Sequence, residues 1–199
     1  MHCNDNACTE SFTIMIRTYH SFIPFIFPIQ GTDFKIHEPK PFWKGWLSHK
    51  FNGPGVRYEV GISIQSGQIV WIFGPFPAGA NSDLKIYQSR VKSMLLPGEM
   101  VEADGTYESD RTVRGKHDHV YSPRERLMKG RVLARHENVN AKFKSWGVLS
   151  KVFRCKGEDM MEKHRLVFNA IAVITELELQ HQTPLYPAKY SVTRRWAAA

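Results

Sequence analysis

Two β-rich runs, RYEVGISI (Arg57–Ile64) and QIVWIFG (Gln68–Gly74), stand three residues apart, joined by Gln65-Ser66-Gly67. Apolar, β-branched and aromatic runs linked by a short glycine-containing loop read as an antiparallel hairpin, and everything else must be laid against it. Upstream, Ile26–Ile29 is a short apolar run that predicts a strand, with Pro28 confining it to a sheet edge or a strand start. Downstream, GPFPAGANS reads as a loop in which Ser82 caps a helix over Asp83–Leu95, where Leu84, Tyr87, Val91, Met94 and Leu95 recur at helical spacing. LLPGEMVEAD then turns into a third buried strand. Residues 106–125 are polar and without apolar period, and read as a surface loop.

The C-terminal half reads as helical. Val132, His136, Val139, Phe143 and Trp146 step by three and four, which predicts a helix over Arg131–Trp146 ended by Gly147. A last helix, Met160 to Leu179, carries LVFNAIAVI and is expected to be buried on most sides. His136 reads as a residue packed beside the core. The order of strand, hairpin, helix, strand, loop, helix, helix predicts a mixed α/β layered fold. Residues 1–23 form a poorly defined N-terminal extension, 24–190 the folded domain and 191–199 a tail.

Composition limits the function classes. The chain has 199 residues, enough for a substantial core, and a hydrophobic fraction of 42%. Lys and Arg number 27 against 19 Asp and Glu, a net charge of +8 that favours a polyanionic partner. The three cysteines, Cys3, Cys8 and Cys155, form no CxxC pair, so neither a disulfide framework nor a zinc site is indicated. A reducing intracellular compartment fits that usage. The apolar opening segment is broken by Arg17, His20, Pro24 and Pro28, too interrupted for a membrane span or a signal peptide.

The chemistry-bearing residues are acids. In GEMVEADGTYES, Asp104 stands where a strand ends, and two readings of it remain open: the turn residue of Asp104-Gly105, or a carboxylate presented to a metal. Glu137 lies on the later helix. Two-metal phosphoryl transfer needs carboxylates that converge from separate elements, and Mg²⁺ takes hard oxygen ligands, so this pair meets the requirement in principle. Asp83 reads as a helix-start acid favoured by the macrodipole. Lys50 and Arg57 beside a Gly-Pro-Gly turn, and Arg135 and Lys144 with Arg131 and Lys142 around Glu137, are candidate phosphate contacts; a solvated surface is the alternative for each. His117 and His119 in KHDHVY have the look of a metal-ligand pair, but no cluster completes it and a surface loop is the reading. Trp43 and Trp46 fall in a loop, where they either pack or stack on bases.

The blocks QGTDFKIHEPKPFWKGWLSHKFNGPGVRYEVGISI, GQIVWIFGPFPAGANSDLKIY, GEMVEADGTY and ARHENVNAKFKSWGVL together resemble the DDE-superfamily endonuclease domain of eukaryotic Harbinger/PIF-like transposases, from about Gln30 to Tyr190. The resemblance implies an RNase H-like fold, a mixed sheet flanked by helices. It also implies metal-dependent cleavage of DNA with Mg²⁺ or Mn²⁺, DNA as partner, a separate DNA-binding protein to recognise transposon ends, and residence in the nucleus. By resemblance the second catalytic and metal-binding acid falls on Asp104 and the third on Glu137. The first should precede Gly31-Thr32, and this chain has Gln30 there. A neutral amide in place of an anionic oxygen weakens a two-metal site. Asp33 is three residues on, an odd offset that points it to the opposite sheet face. Three functions follow: an impaired nuclease, a non-catalytic remnant that binds DNA or a protein, or a product without function.

Overall fold

A computed structural model describes residues 25–107, 110–114, 122–155, 157 and 159–188. The N-terminal extension, the C-terminal tail, His117 and His119 lie outside the described residues.

The chain builds a six-stranded mixed sheet. Strand β1 (Phe25–Lys35) pairs antiparallel with β3 (Gly53–Ile62), in a register that sets Gln30 opposite Val60 and Asp33 opposite Arg57. On its other edge β3 pairs antiparallel with β4 (Ile69–Pro77), and its first two residues pair with β2 (Leu47–Ser48). The hairpin therefore forms as its turn residues demand, with Gly67 at φ +76°, in the left-handed region that favours glycine. On the far side of β1, β5 (Met100–Glu102) and β6 (Val113–Arg114) run parallel to it, so the sheet reads β4-β3-β1-β5-β6.

Strand β1 is thus central, not at an edge. Pro28 is tolerated because it stands opposite Glu102 where the register between β1 and β5 shifts. Its carbonyl is taken from outside the ladder by His136 Nε2 at 2.8 Å. The stretch after Asp104 also departs from the expected loop. It contains a 3-10 turn (Gly105–Tyr107) and strand β6, and helix α3 (Pro123–Ser145) begins eight residues before Arg131. Ser122 explains the early start: its hydroxyl accepts from Glu125 N, Glu125 reaches back to Ser122 N, and Pro123 fills the first helical position. Gly147 does not end this helix; Trp146 breaks it with extended backbone, and Gly147 opens the single turn α4 (Gly147–Ser150).

The helix expected over Asp83–Leu95 is split at Arg90 into α1 (Asp83–Ser89) and α2 (Val91–Met94). The Ser82 cap is present, its side chain accepting from Lys85 N. At the break, the Ser89 hydroxyl donates to Ile86 O, a local bond of the kind that competes with the helix ladder. The last helix, α5, spans Met160–His181.

Side-chain alternation along β1 and β3 divides the core. Even-numbered Phe34, Tyr58, Val60 and Ile62 pack with Val139 and Phe143 of α3 and Phe168, Ile171 and Leu179 of α5. Tyr58 stacks on Phe168 at a centroid distance of 4.0 Å, and burying each such ring is worth about 1.5–3 kcal/mol. Odd-numbered Phe27 and Ile29 pack on the opposite face with Trp71, Tyr87, Val101 and Tyr107. Helix α5 is not buried on most sides: Leu166, Val173, Ile174 and Leu177 are exposed on its outer face. None of the helices among the described residues is long and apolar enough to cross a membrane.

Candidate functional site

Gln30 lies in the middle of β1 and points to the even face, toward α3. Helix α3 is docked there by two buried polar contacts. Lys129 Nζ stands 2.9 Å from the Glu102 carboxylate at one end. His136 reaches Pro28 O near the middle. Because a carbonyl only accepts, the His136 ring carries its proton on Nε2. Burial holds this ring neutral by lowering its pKa to about 4, against the opposing pull of the Pro28 bond and of the Glu137 and Asp104 charges. His136 is core, as its place in the helical period predicts.

Docked this way, α3 presents Glu137 and Asn140, one helical turn apart, to the side chain of Gln30. Gln30 Nε2 donates to Glu137 Oε1 at 2.8 Å, and Asn140 Nδ2 donates to Gln30 Oε1 at 3.1 Å. Both polar ends of the Gln30 amide are therefore engaged. Glu137 is exposed and Gln30 half-buried, so the clasp sits at the rim of the sheet. Asn140 was not singled out from sequence, although the spacing Glu137-x-x-Asn140 places the two residues on one helix face.

Asp104 follows β5, two residues beyond the Glu102 that stands opposite Pro28. It closes the end of the strand neighbouring Gln30. Its Oδ1 accepts from both the backbone N–H and the hydroxyl of Thr106, and its carbonyl accepts from Tyr107 N at 3.3 Å. Of the two readings of Asp104, the turn residue is the one these bonds describe.

Gln30, Asp104 and Glu137 offer a divalent ion two carboxylates and one amide, a weaker donor set than three carboxylates. Mg²⁺ and Mn²⁺ require anionic or carbonyl oxygens with lone pairs turned toward one point. Here one oxygen of Glu137 and one of Asp104 accept from protein donors, and Asn140 donates to the Gln30 carbonyl. Among the described residues there is no group of three or more His, Cys, Asp or Glu side chains placed to hold a metal ion.

Asp33 offers no rescue, for the reason its odd offset predicts. It lies on the other face, buried, where Arg57 grips it through Nε at 2.7 Å and Nη2 at 2.8 Å, and Ser48 Oγ also donates to it. Burial alone would raise its pKa, but the Arg57 and Ser48 bonds outweigh it and hold the carboxyl below its ordinary range. Arg57 further donates to Asn81 O and stands 3.1 Å from Asp83 Oδ1. Asp83 is thus more than a helix-start acid: it is buried over Gly31, where a Cβ would come within 1.9 Å of its Oδ1. Glycine at position 31 is a requirement of space.

Of the candidate phosphate contacts, Arg57 and Arg135 are taken by protein acceptors. Arg135 is buried and donates to Ile64 O at 2.6 Å and to Tyr186 O at 2.6 and 2.9 Å, tying α3 to the hairpin loop and the chain end. Lys50 and Lys144 are exposed, and Lys50 donates to Gly31 O beside Gln30. Lys142 pairs with Glu178 at 3.2 Å. In comparisons with known proteins, no family model, no curated protein and no solved structure matches this chain.

Proposed function

We propose that the chain is a transposase-derived, RNase H-like domain that binds DNA and does not cut it. Support for the ancestry is topological. Three antiparallel strands followed by two parallel ones in the order β4-β3-β1-β5-β6, with helices packed on the faces, agree with what the resemblance to Harbinger-type endonuclease domains implies. So does the distribution of Gln30, Asp104 and Glu137 over the first strand, the end of its parallel neighbour and a later helix. On this reading the chain works in the nucleus, and a separate DNA-binding protein selects the site.

The observation that carries the loss of cleavage is the hydrogen bond from Gln30 to Glu137. An amide that donates to the Glu137 carboxylate and accepts from Asn140 then stands in place of a shared cation. What is left for nucleic acid is charge: a surplus of +8, with Lys50 and Lys144 exposed. Each phosphate neutralised contributes about −0.9 to the slope of log affinity against log salt.

The test is a supercoiled-plasmid nicking assay with Mg²⁺ or Mn²⁺, run beside a gel shift at several salt concentrations. The native chain should shift DNA, weakening steeply with salt, and leave the plasmid closed. Metal-dependent nicking by the native chain that disappears in Glu137→Gln would overturn the proposal.

A further inference from the structure

The segment between β1 and β3 supplies a surface that the clasp does not use. From Phe34 to Phe51 the chain carries Lys35, Lys40, Lys44 and Lys50, with Glu38 as its one acid. Into this basic run are set two exposed aromatic rings, Phe42 at 45% and Trp43 at 56% exposure. The two rings are adjacent in sequence and set among lysines, which gives an apolar spot within a basic run.

They are not loose. Trp43 opens a 3-10 turn (Lys44–Trp46), and its carbonyl accepts from Trp46 N at 3.0 Å. Gly45 O then accepts from both Gly79 N and Ala80 N at 2.8 Å, which pins the turn to the loop after β4. Contact there is close: a Cβ on Gly79 would meet Leu47 O at 2.6 Å. Beyond the turn, Ser48 hydrogen-bonds Asp33, so the segment is anchored to the buried Arg57–Asp33 pair. The Trp43 ring lies face-on over Gly45, since a Cβ at Gly45 would stand 2.3 Å from both Cη2 and Cζ3 and 2.6 Å from Cε3. One face of the indole is thus backed by the main chain and the other is turned to solvent.

We propose that Phe42 and Trp43 form a stacking platform for the unpaired bases of single-stranded nucleic acid, with Lys40, Lys44 and Lys50 tracking its phosphates. This rests on the nucleic-acid reading above and narrows it to one strand. A base presents a flat π-face of the size of the open indole, and every base has one, so the platform reads no sequence. The lysines match the charge of the backbone between stacked bases. Duplex DNA keeps its base faces inside the stack and meets only the lysines. Lys50 is held to the β1 main chain through its bond to Gly31 O.

The test is fluorescence anisotropy with a labelled oligothymidine and a labelled duplex of equal length, on the native chain, Trp43→Ala, Trp43→Phe and Phe42→Ala. Thermal unfolding shows that each variant is folded; Trp43 and Phe42 are exposed, so melting temperatures should stay close. Trp43→Ala should weaken oligothymidine binding about tenfold, since stacking is worth roughly 1–3 kcal/mol per base, and change duplex binding less than twofold. Trp43→Phe should recover most of the loss. Unchanged oligothymidine binding, or an equal loss on both ligands, would overturn the platform while leaving the DNA-binding reading standing. Failure of the native chain to bind either ligand at low salt would overturn both. Unchanged binding is also the outcome expected if these rings dock a protein instead.

Discussion

The two faces of β1 hold different polar systems beside Gln30 and Gly31. On the odd face Asp33, Arg57 and Asp83 are buried as ions, and the charges are matched by a two-pronged guanidinium contact and a second carboxylate. On the even face the half-buried Gln30 amide is met by the neutral Asn140 amide, with neutral His136 on Pro28 O and the Tyr58 hydroxyl and His164 at 2.8 Å further along. The buried Lys129–Glu102 ion pair lies at one end of α3. Adjacent residues of one strand, Gln30 and Gly31, belong to these two systems. A carboxylate at position 30 would face Glu137 with neither Arg57 nor any other cation bonded to it, whereas the one at position 33 has Arg57. With glutamine at position 30, two carboxylates do not face each other there.

The largest expected effect lies on the charged face. Asp33→Ala leaves Arg57 buried with only Asp83 and Asn81 O, and removing one partner of a buried pair typically costs about 3–5 kcal/mol. Urea unfolding should show that loss. A cost under 1 kcal/mol would mean that the ion cluster is not what holds β1 to β3.

Acid should separate the faces next. Burial lowers the His164 pKa to about 4, and the ring, flanked by Tyr58, Phe34 and Phe153, is held neutral. Its folded pKa lies below its unfolded value near 6.5, so the unfolded chain binds the extra proton first. The stability this ring contributes is therefore complete above about pH 6.5 and falls as the pH drops toward 4, by up to about 3 kcal/mol. His136 adds a loss of the same sign. Asp33, held below its ordinary range, gives way only at lower pH. Melting temperature against pH should be less steep between 6.5 and 4 in His164→Phe than in the native chain; equal slopes would remove His164 from the account.

A smaller effect tests the close approach of α1 to the strand. Gly31→Ala drives a methyl group into the Asp83 carboxylate, an overpacking cost of about 1–3 kcal/mol. Combined with Asp83→Gly, the two losses should add to less than their sum. Strict additivity would show that the glycine is not there to admit Asp83.

Periodicity and turn chemistry made the hairpin, β5, α3 and α5 legible, because each of those signals is local. What escaped was set by partners distant in sequence. Pro28 belongs to a central strand because β5 meets it across a register shift. Arg57 reads as a candidate surface base until Asp33, 24 residues earlier, is brought opposite it. Arg135 is likewise committed to carbonyls at positions 64 and 186. The early start of α3 was readable, since Ser122-Pro123-x-Glu125 is a capping box with proline at its first helical position. Of the site, Asp104 and Glu137 are legible as candidate acids from the elements that carry them and Gln30 only by resemblance. The contact between Gln30 and Glu137 requires α3 to be docked against β1, as the bond from His136 to Pro28 O does. Asn140, which completes the clasp, carries no signal beyond its spacing from Glu137.

Whether an amide clasp stands where a metal would otherwise be shared is decided by Mn²⁺ titration followed by thermal unfolding. In Gln30→Asp, two carboxylates at positions 30 and 137 should lower the melting temperature without metal, and Mn²⁺ should restore it, while the native chain stays unmoved by the ion. A native chain stabilised by Mn²⁺ as strongly as Gln30→Asp would contradict the account.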